Sequence, residues 1–298
     1  MTFHERFERS LVEPDATSFV YDVDAFRSMD AYQQRLSRAD LVARALGGDR
    51  RSVETLADVG DADTAAALAP LLDQDDLRAA AVRARVRLLD DAPTARAAGE
   101  QLVADVEPVL TAMALARTLH PAAMPFLLSA LDNRWHVVRA HIFDAIVRRL
   151  DVEPVVRGRW SPLRIARLEL SNELPSVRTI GANRLRDWAA RIAAGETPAG
   201  LGLDLDPPAD NDSDAFGRSF APDLKLDVAA ARRLDGWRRV WARAFLAAAL
   251  ERRDPRAPTA LVDLGDPGVG PWIDDALRTA AADDPFTGAA QAARRRLA

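Results

Sequence analysis

A seven-residue sequence recurs along the chain and restricts it to a fold built from repeated units. It reads LADVGDA at residues 56–62 and LVDLGDP at residues 261–267, and LARTLHP at residues 115–121 fits the same frame with His120 in the aspartate position. An apolar helical segment follows each copy. Recurrence of this kind is typical of stacked structural units, none of which buries its apolar face alone.

The pattern around these copies is helical. Runs of alternating β-branched and polar residues, the signal for strands, are nearly absent, and short turns with Asp, Pro or Gly separate the apolar segments. A second helix that opens with an apolar residue and arginine recurs at residues 77–78, 138–139 and 177–178. A period of roughly 30–40 residues is typical of stacked two-helix repeats. The sequence therefore predicts an all-α, right-handed superhelix (an α-solenoid) of about six or seven helix pairs.

These residues resemble a known family. The frame Leu-Gly-Asp-Pro, then an apolar helix, then Asp and Val-Arg with an alanine-rich continuation, is similar to the short HEAT repeats of bacteria. The resemblance covers residues 55–89, 115–150 and 257–297, and more weakly 161–192, although the last unit has PFT at residues 285–287 in place of Val-Arg. The resemblance implies the stacked-helix fold and says almost nothing about function.

An aspartate before each second helix and an arginine inside it predict a structural ion pair. Asp73 precedes Arg78, Asp132 precedes Arg139, and Arg178 occupies the arginine position of the next unit. The apolar stripe beside Arg139 must be buried, and a charge-assisted bond to the preceding turn would hold successive units in register. We therefore expect a structural role for these five residues, which we name the arginine ladder.

Residues 195–223 differ from the rest of the chain. They hold seven acidic residues, one basic residue, four glycines and four prolines. A structureless stretch of this length is uncommon inside a compact domain. The composition predicts an acidic loop or linker between helical repeats in 1–194 and in 224–298, the latter continuing the same solenoid. If the segment packs on the body instead, Phe216 and Phe220 are its expected anchors.

The second helices of such a solenoid usually line its concave side. Polar positions that packing does not use there predict a mixed-charge surface, which we name the concave ridge. It comprises Arg83, Arg87, His141, Asp144, Arg148, Asn183 and Asp187. Either this ridge is an ordinary solvated face, or it is an extended surface that binds a partner.

The chain lacks the residues that several kinds of catalytic and binding site require. The chain has no cysteine, its four histidines form no zinc-binding pattern, and it has neither a phosphate-binding glycine motif nor a Gly-x-Ser-x-Gly elbow. We expect no metal and no cofactor. The chain has no run of about 18 apolar residues, and its first residues do not resemble a secretory signal, so we expect a cytoplasmic protein without a membrane span.

An arginine-rich segment, residues 227–256, contains two tryptophans four residues apart. Arginines interleaved with aromatic residues could contact a nucleic acid. However, Leu234, Trp237, Trp241 and Phe245 form a single apolar stripe. We therefore expect the tryptophans in the core and the arginines on a solvated face.

The sequence favours a non-catalytic interaction protein, a scaffold or regulatory adaptor, that binds a protein partner along the concave ridge. Two enzymatic alternatives stay open. One is an accessory biosynthetic enzyme that holds a small polar molecule in the groove. The other is a base-excision enzyme similar to the bacterial alkylpurine DNA glycosylases, with Asp187 and Trp188 in the catalytic groove. A nucleic-acid partner is disfavoured, because duplex phosphates would select a ridge without Asp144 and Asp187.

Overall fold

Aspartate side chains begin many of the helices. The computed structural model describes residues 2–13, 15, 17–150, 161–203, 211–221 and 225–297. Asp30, Asp61 and Asp91 each accept a hydrogen bond from the backbone N–H three residues later, at 2.8–2.9 Å. Such a cap satisfies one of the N–H groups that the first helical turn leaves without an intrahelical partner. The abundant aspartates therefore separate a long helical sequence into short helices.

The recurring seven-residue frame is a helix end followed by a cap. Asp61 and Asp266 each accept a backbone N–H two or three residues later, at 2.9 and 2.8 Å. His120, which replaces the aspartate in the middle copy, does the same through Nδ1 at 3.1 Å. An imidazole nitrogen can accept a hydrogen bond as a carboxylate can. All three copies therefore encode a helix cap, for an α-helix after Asp61 and for a 3₁₀ helix after His120 and Asp266.

The chain divides into two compact units, residues 1–130 and 131–298. The sequence predicts block boundaries at 194 and 224, whereas the structure groups residues 131–194 with the C-terminal helices. The reason is tertiary packing, because the helix that contains residue 165 packs against the one that contains residue 241. Eighteen α-helices and four short 3₁₀ helices, but no strand, occur in the described residues. The prediction of an all-α fold is confirmed.

In the first unit consecutive helices pack on one another. Its helices are α1 (Phe3–Val12), α2 (Val23–Arg27), α3 (Ala31–Leu46), α4 (Arg50–Val59), α5 (Ala62–Ala67), α6 (Arg78–Leu89), α7 (Ala92–Val103), α8 (Pro108–Ala116) and α9 (Met124–Ser129), with 3₁₀ helices at Ala69–Asp73 and Pro121–Ala123. Helix α4 packs on α3 and α6, and α7 packs on α6 and α8. Leu41, Leu56 and Leu71 are fully buried in the core beneath α3, α4 and α6.

The second unit contains the remaining helices. They are α10 (His136–Arg149), α11 (Pro162–Ser171), α12 (Pro175–Ala193), α13 (Asn211–Arg218), α14 (Val228–Arg233), α15 (Gly236–Glu251), α16 (Ala257–Asp263), α17 (Gly270–Thr279) and α18 (Pro285–Arg295), with 3₁₀ helices at Ala130–Asp132 and Pro267–Val269. Helices α11 and α12 approach closely at Gly181, where an added Cβ would lie 2.6 Å from the backbone nitrogen of Leu170. Helix α15 packs against α11, α16 and α17.

The acidic segment is partly helical. Its residues 204–210, 222 and 223 lie outside the described part of the chain, but α13 lies within the segment. Phe216 on α13 is fully buried in the core of the second unit, and Phe220 is half-buried against it. Both phenylalanines therefore act as the anchors expected for a packed segment. Within the described residues, no helix combines the length and apolar character needed to cross a membrane.

Candidate functional site

The concave-ridge residues of the first unit are engaged in ion pairs. Arg83 on α6 is 1% exposed, and its Nη1 donates to Glu107 at 2.5 Å while its Nη2 donates to Glu54. Arg87, one turn later, donates to Asp58. A buried guanidinium requires such partners, because an uncompensated charge away from water is very costly. Arg83 and Arg87 therefore stabilise the packing of α6 on α4 and do not form the exposed ridge that the sequence predicted.

More exposed arginines extend this charge network. Arg50 donates to the second oxygen of Glu107 at 2.5 Å, and Arg117 donates to Asp58 at 3.0 Å. Burial opposes ionisation of Glu107, but its bonds with Arg50 and Arg83 hold the pKa below the usual range. Burial lowers the pKa of Arg87, partly opposed by Asp58. The network thus joins α4, α6 and the start of α8.

In the second unit, ridge residues on α10 are more accessible. His141 and Asp144 are half-buried and Arg148 is exposed. Asp144 forms an ion pair with Arg167 of α11 at 3.6 Å, with both side chains 44% exposed. This ion pair links the part of the predicted ridge on α10 to the face of α11 that carries Arg167.

The ridge residues on α12 pair within their own helix. Asn183 is exposed and accepts a hydrogen bond from Arg186 at 3.2 Å. Asp187 is also exposed and lies 3.7 Å from Arg191. Trp188, considered with Asp187 for a glycosylase-like site, is 3% exposed in the core. Because Asp187 is exposed and Trp188 is buried, the two side chains do not form a common catalytic site.

The arginine ladder has different partners from those predicted. Arg139 is fully buried, as a structural role requires, but it donates to the carbonyl oxygens of Asn133, Arg134 and Leu170 at 2.7–2.8 Å and to Glu173 at 2.8 Å. The guanidinium is planar and carries five N–H donors, so it can join several turns at once. Its bonds extend to the end of α11 and not to the aspartate of the preceding turn.

The remaining ladder residues follow the same correction. Asp132 accepts from Arg186 at 2.7 Å. Arg78 donates to the carbonyl of Leu72 at 2.7 Å and pairs with Asp75, not with Asp73. Arg178 lies near enough to Arg139 for its charge to contribute to lowering the pKa of Arg139, after burial, which is the main cause. A separation of five residues (Asp73 and Arg78) or seven (Asp132 and Arg139) does not select the ion-pair partner, because long arginine side chains reach several neighbours.

A groove in the second unit combines apolar and cationic side chains. It lies between α11 and α15 and has a volume of about 270 Å³. The groove is lined by Arg164, Ile165, Arg167, Leu168, Ser171, Trp241 and Phe245. Positions 164, 167, 168 and 171 share one face of α11 because helical residues three and four apart lie side by side. We name this feature the α11–α15 groove.

Aromatic rings form the floor of the α11–α15 groove. The ring centroids of Trp241 and Phe245 lie 4.6 Å apart. Phe216 packs edge-on against Trp241 at 5.8 Å, and Phe220 packs edge-on against Phe245 at 5.6 Å. These contacts are within the range in which aromatic pairs stabilise each other. The acidic segment therefore supports the floor from behind through α13.

Two guanidinium groups border the apolar floor. Arg164 and Arg167 are both exposed, and Arg167 lies 5.8 Å from the centre of the Phe143 ring as well as beside Asp144. Guanidinium groups bind carboxylates through paired hydrogen bonds. The arrangement can hold a chemical group that is apolar or aromatic on one side and anionic on the other.

A buried ion pair holds α11 from its opposite face. Glu169 is 6% exposed and receives two bonds from Arg184 of α12, at 2.9 and 3.0 Å. Burial raises the pKa of Glu169, and the pairing with Arg184 opposes the rise. Because Glu169 lies on the face of α11 that meets α12, it fixes the helix that carries Arg164 and Arg167.

Comparisons of the chain with protein families, with curated proteins and with solved structures found no match. In the described part of the chain, no cluster of three or more His, Asp or Glu side chains is placed to hold a metal ion. Trp241 lies in the core, as the apolar stripe on its helix predicts. The local sequence gives one signal for the α11–α15 groove, the arginine pair at positions 164 and 167, and this pair does not by itself predict a groove.

Proposed function

We propose that this chain is a helical interaction protein that binds a segment of a protein partner in the α11–α15 groove. The bound segment would place an apolar or aromatic side chain against the half-buried Phe245, which packs on the buried Trp241, and a nearby carboxylate on Arg164 and Arg167. The observation that carries the proposal is the combination of an aromatic floor with two exposed guanidinium groups. Such anchors, an aromatic contact beside arginine, dominate the energy of many protein interfaces.

The size of the groove favours a side chain of a partner over a free ligand. Sites that enclose small molecules have volumes of about 300–1,000 Å³ and bury most of the ligand. At about 270 Å³ the α11–α15 groove is smaller and open along α11. That volume suits one or two side chains of a segment that continues across the surface.

The architecture that we propose is the HEAT-like, right-handed solenoid expected from the recurring frame. Packing between consecutive helices and the shared cap at Asp61, His120 and Asp266 support it. Small-angle X-ray scattering of the full chain tests it, because a solenoid of six or seven helix pairs is elongated. A distance distribution typical of a sphere would contradict it. A cytoplasmic location remains part of the same proposal.

Fluorescent acidic peptides with and without an aromatic residue test the function. We expect the aromatic acidic peptide to bind best, and the double variant Arg164→Glu/Arg167→Glu to weaken its binding by about tenfold or more, since charge-assisted contacts are replaced by repulsion. Phe245→Ala should weaken the same peptide but leave the salt dependence of binding unchanged.

Arg295→Glu is the matched control, because Arg295 is an exposed arginine on α18 of the same unit. Its peptide affinity should equal that of the unmodified protein. Equal binding by the groove variants and by this control would reject the α11–α15 groove as the binding site.

A further inference from the structure

Helix α3 presents apolar residues on two opposite faces. One face, with Ser37, Leu41 and Ala45, is buried against the core of the first unit. The opposite face is exposed over the full length of the helix and comprises Tyr32, Leu36, Ala39, Ala43 and Leu46. Tyr32, Leu36 and Leu46 are 62%, 49% and 44% exposed. We name these five positions the α3 seam.

The spacing of the α3 seam is that of a coiled coil. Successive seam residues are separated by four, three, four and three positions. That alternation places them at the d, a, d, a and d positions of consecutive heptads, which form the contact line between two supercoiled helices. A loop or a flat surface does not require this periodicity. The α3 seam therefore fits another helix.

Charges beside the seam identify that helix. Arg35 occupies the g position before Leu36, and Asp40 occupies the e position of the next heptad. In a parallel, in-register pair of helices, a g residue faces the e residue of the partner five positions later. A second α3 thus brings Arg35 to Asp40 twice, once on each side of the seam.

In the single chain these charged groups remain accessible. Arg44 bonds only Oδ2 of Asp40, at 2.8 Å, and Asp40 is 49% exposed. The guanidinium of Arg35 lies 5.5 Å from the centre of the Tyr32 ring. Both groups can reach across a helix pair without breaking a contact in the core.

We propose that two copies of this chain associate through the α3 seam as a parallel helix pair. Ala39 and Ala43 allow the two helix axes to approach closely, and Leu36 and Leu46 pack against their counterparts on either side. A helix of 16 residues is about 24 Å long. The resulting interface is smaller than the roughly 1,200–2,000 Å² of a stable complex. The dimer therefore forms at micromolar concentrations or above.

Sedimentation velocity of the full chain over a range of concentrations tests this association. We expect the mass to rise from the 32.5 kDa of one chain toward twice that value. Leu36→Glu places a charge in the seam and should raise the dissociation constant by about tenfold or more. Val103→Glu is the control, because Val103 is 52% exposed on α7 and lies outside the seam. It should leave the dissociation constant unchanged.

Charge exchange tests the orientation. Arg35→Asp and Asp40→Arg should each weaken the dimer a few-fold, and the double variant should restore it, because the crossed pairs form again with opposite sign. A cysteine introduced by Leu46→Cys, in a chain that has no other, should form an intermolecular disulfide only if the helices are parallel.

Three results would overturn the proposal. They are a single-chain mass at every concentration, a dimer that Leu36→Glu leaves intact, and a failure of the charge-exchanged double variant to recover. Each is independent of peptide binding in the α11–α15 groove, because the α3 seam belongs to the other unit.

Discussion

Two fully buried arginines, Arg83 on α6 of the first unit and Arg139 on α10 of the second, are stabilised in different ways. Arg83 is compensated by charge, through Glu54 and Glu107. Arg139 is held mainly by four backbone carbonyl oxygens, with a single carboxylate, Glu173, at the edge. A buried guanidinium thus has two solutions, charge neutralisation or many neutral acceptors.

The two solutions differ in what they connect. The carboxylates around Arg83 belong to α4 and to the start of α8, so the network links side chains whose ionisation can change. The carbonyl groups around Arg139 belong to the backbone of two turns, and these acceptors do not titrate. We expect the first unit to respond more to charge substitutions and the second to respond more to loss of the arginine itself.

The largest expected effect is that of Arg139→Ala. The substitution leaves carbonyl groups of two turns and Glu173 without their donor, and we expect a loss of about 3–5 kcal/mol in the free energy of unfolding. Chemical denaturation measures it. Arg78→Ala is the matched control, because Arg78 is exposed and its pair with Asp75 should contribute no more than about 1 kcal/mol. Equal losses in the free energy of unfolding for the two variants would contradict the special role of the buried Arg139.

A smaller effect with a specific rescue is expected in the first unit. Arg83→Met leaves Glu54 charged and nearly buried, with only the more distant Arg50, at 4.0 Å, as a cationic partner, at a cost of about 2–4 kcal/mol. Adding Glu54→Gln removes that poorly compensated charge and should recover about 1 kcal/mol or more. The corresponding double variant in the second unit, Arg139→Met with Glu173→Gln, should recover little, because Glu173 is half exposed and the carbonyl groups stay unpaired. Thermal unfolding of the four variants decides between these outcomes, and equal rescue in both units would contradict the comparison.

The smallest effect is a pH dependence of opposite sign in the two units. The pKa of Glu107 is lowered on folding, so its contribution to stability is present above the unfolded pKa of about 4.5 and is lost as the pH falls through the folded pKa. The pKa of Glu169 is raised by burial, so proton binding favours the folded state as the pH falls from the folded pKa toward about 4.5. The contribution of the partly exposed Glu107 to the free energy of unfolding is expected to be about 1 kcal/mol or less.

Stability measured against pH for two variants separates these contributions. Glu107→Gln should flatten the loss of stability below about pH 4.5, and Glu169→Gln should remove the gain that acidification produces above that pH. A gain in stability that persists in Glu169→Gln would assign it to another group. Glu251, whose pKa burial also raises, is the next candidate.

The sequence by itself determined the helical fold. Apolar spacing, scarce strand signals and aspartate caps are local properties, because a helix and its cap involve residues within one or two turns of each other. The recurring frame at residues 56–62, 115–121 and 261–267 proved to be a local turn for the same reason. The burial of Trp241 followed from the apolar stripe on its own helix.

Tertiary structure alone decided which charges meet and where a groove opens. Arg139 bonds Leu170 and Glu173, more than 30 residues away along the chain, and Arg83 meets Glu107 through the packing of α6 near the start of α8. The α11–α15 groove needs side chains separated by about 70 residues. Local periodicity identifies the buried face of each helix, but the partner that covers this face depends on how the helices pack in three dimensions.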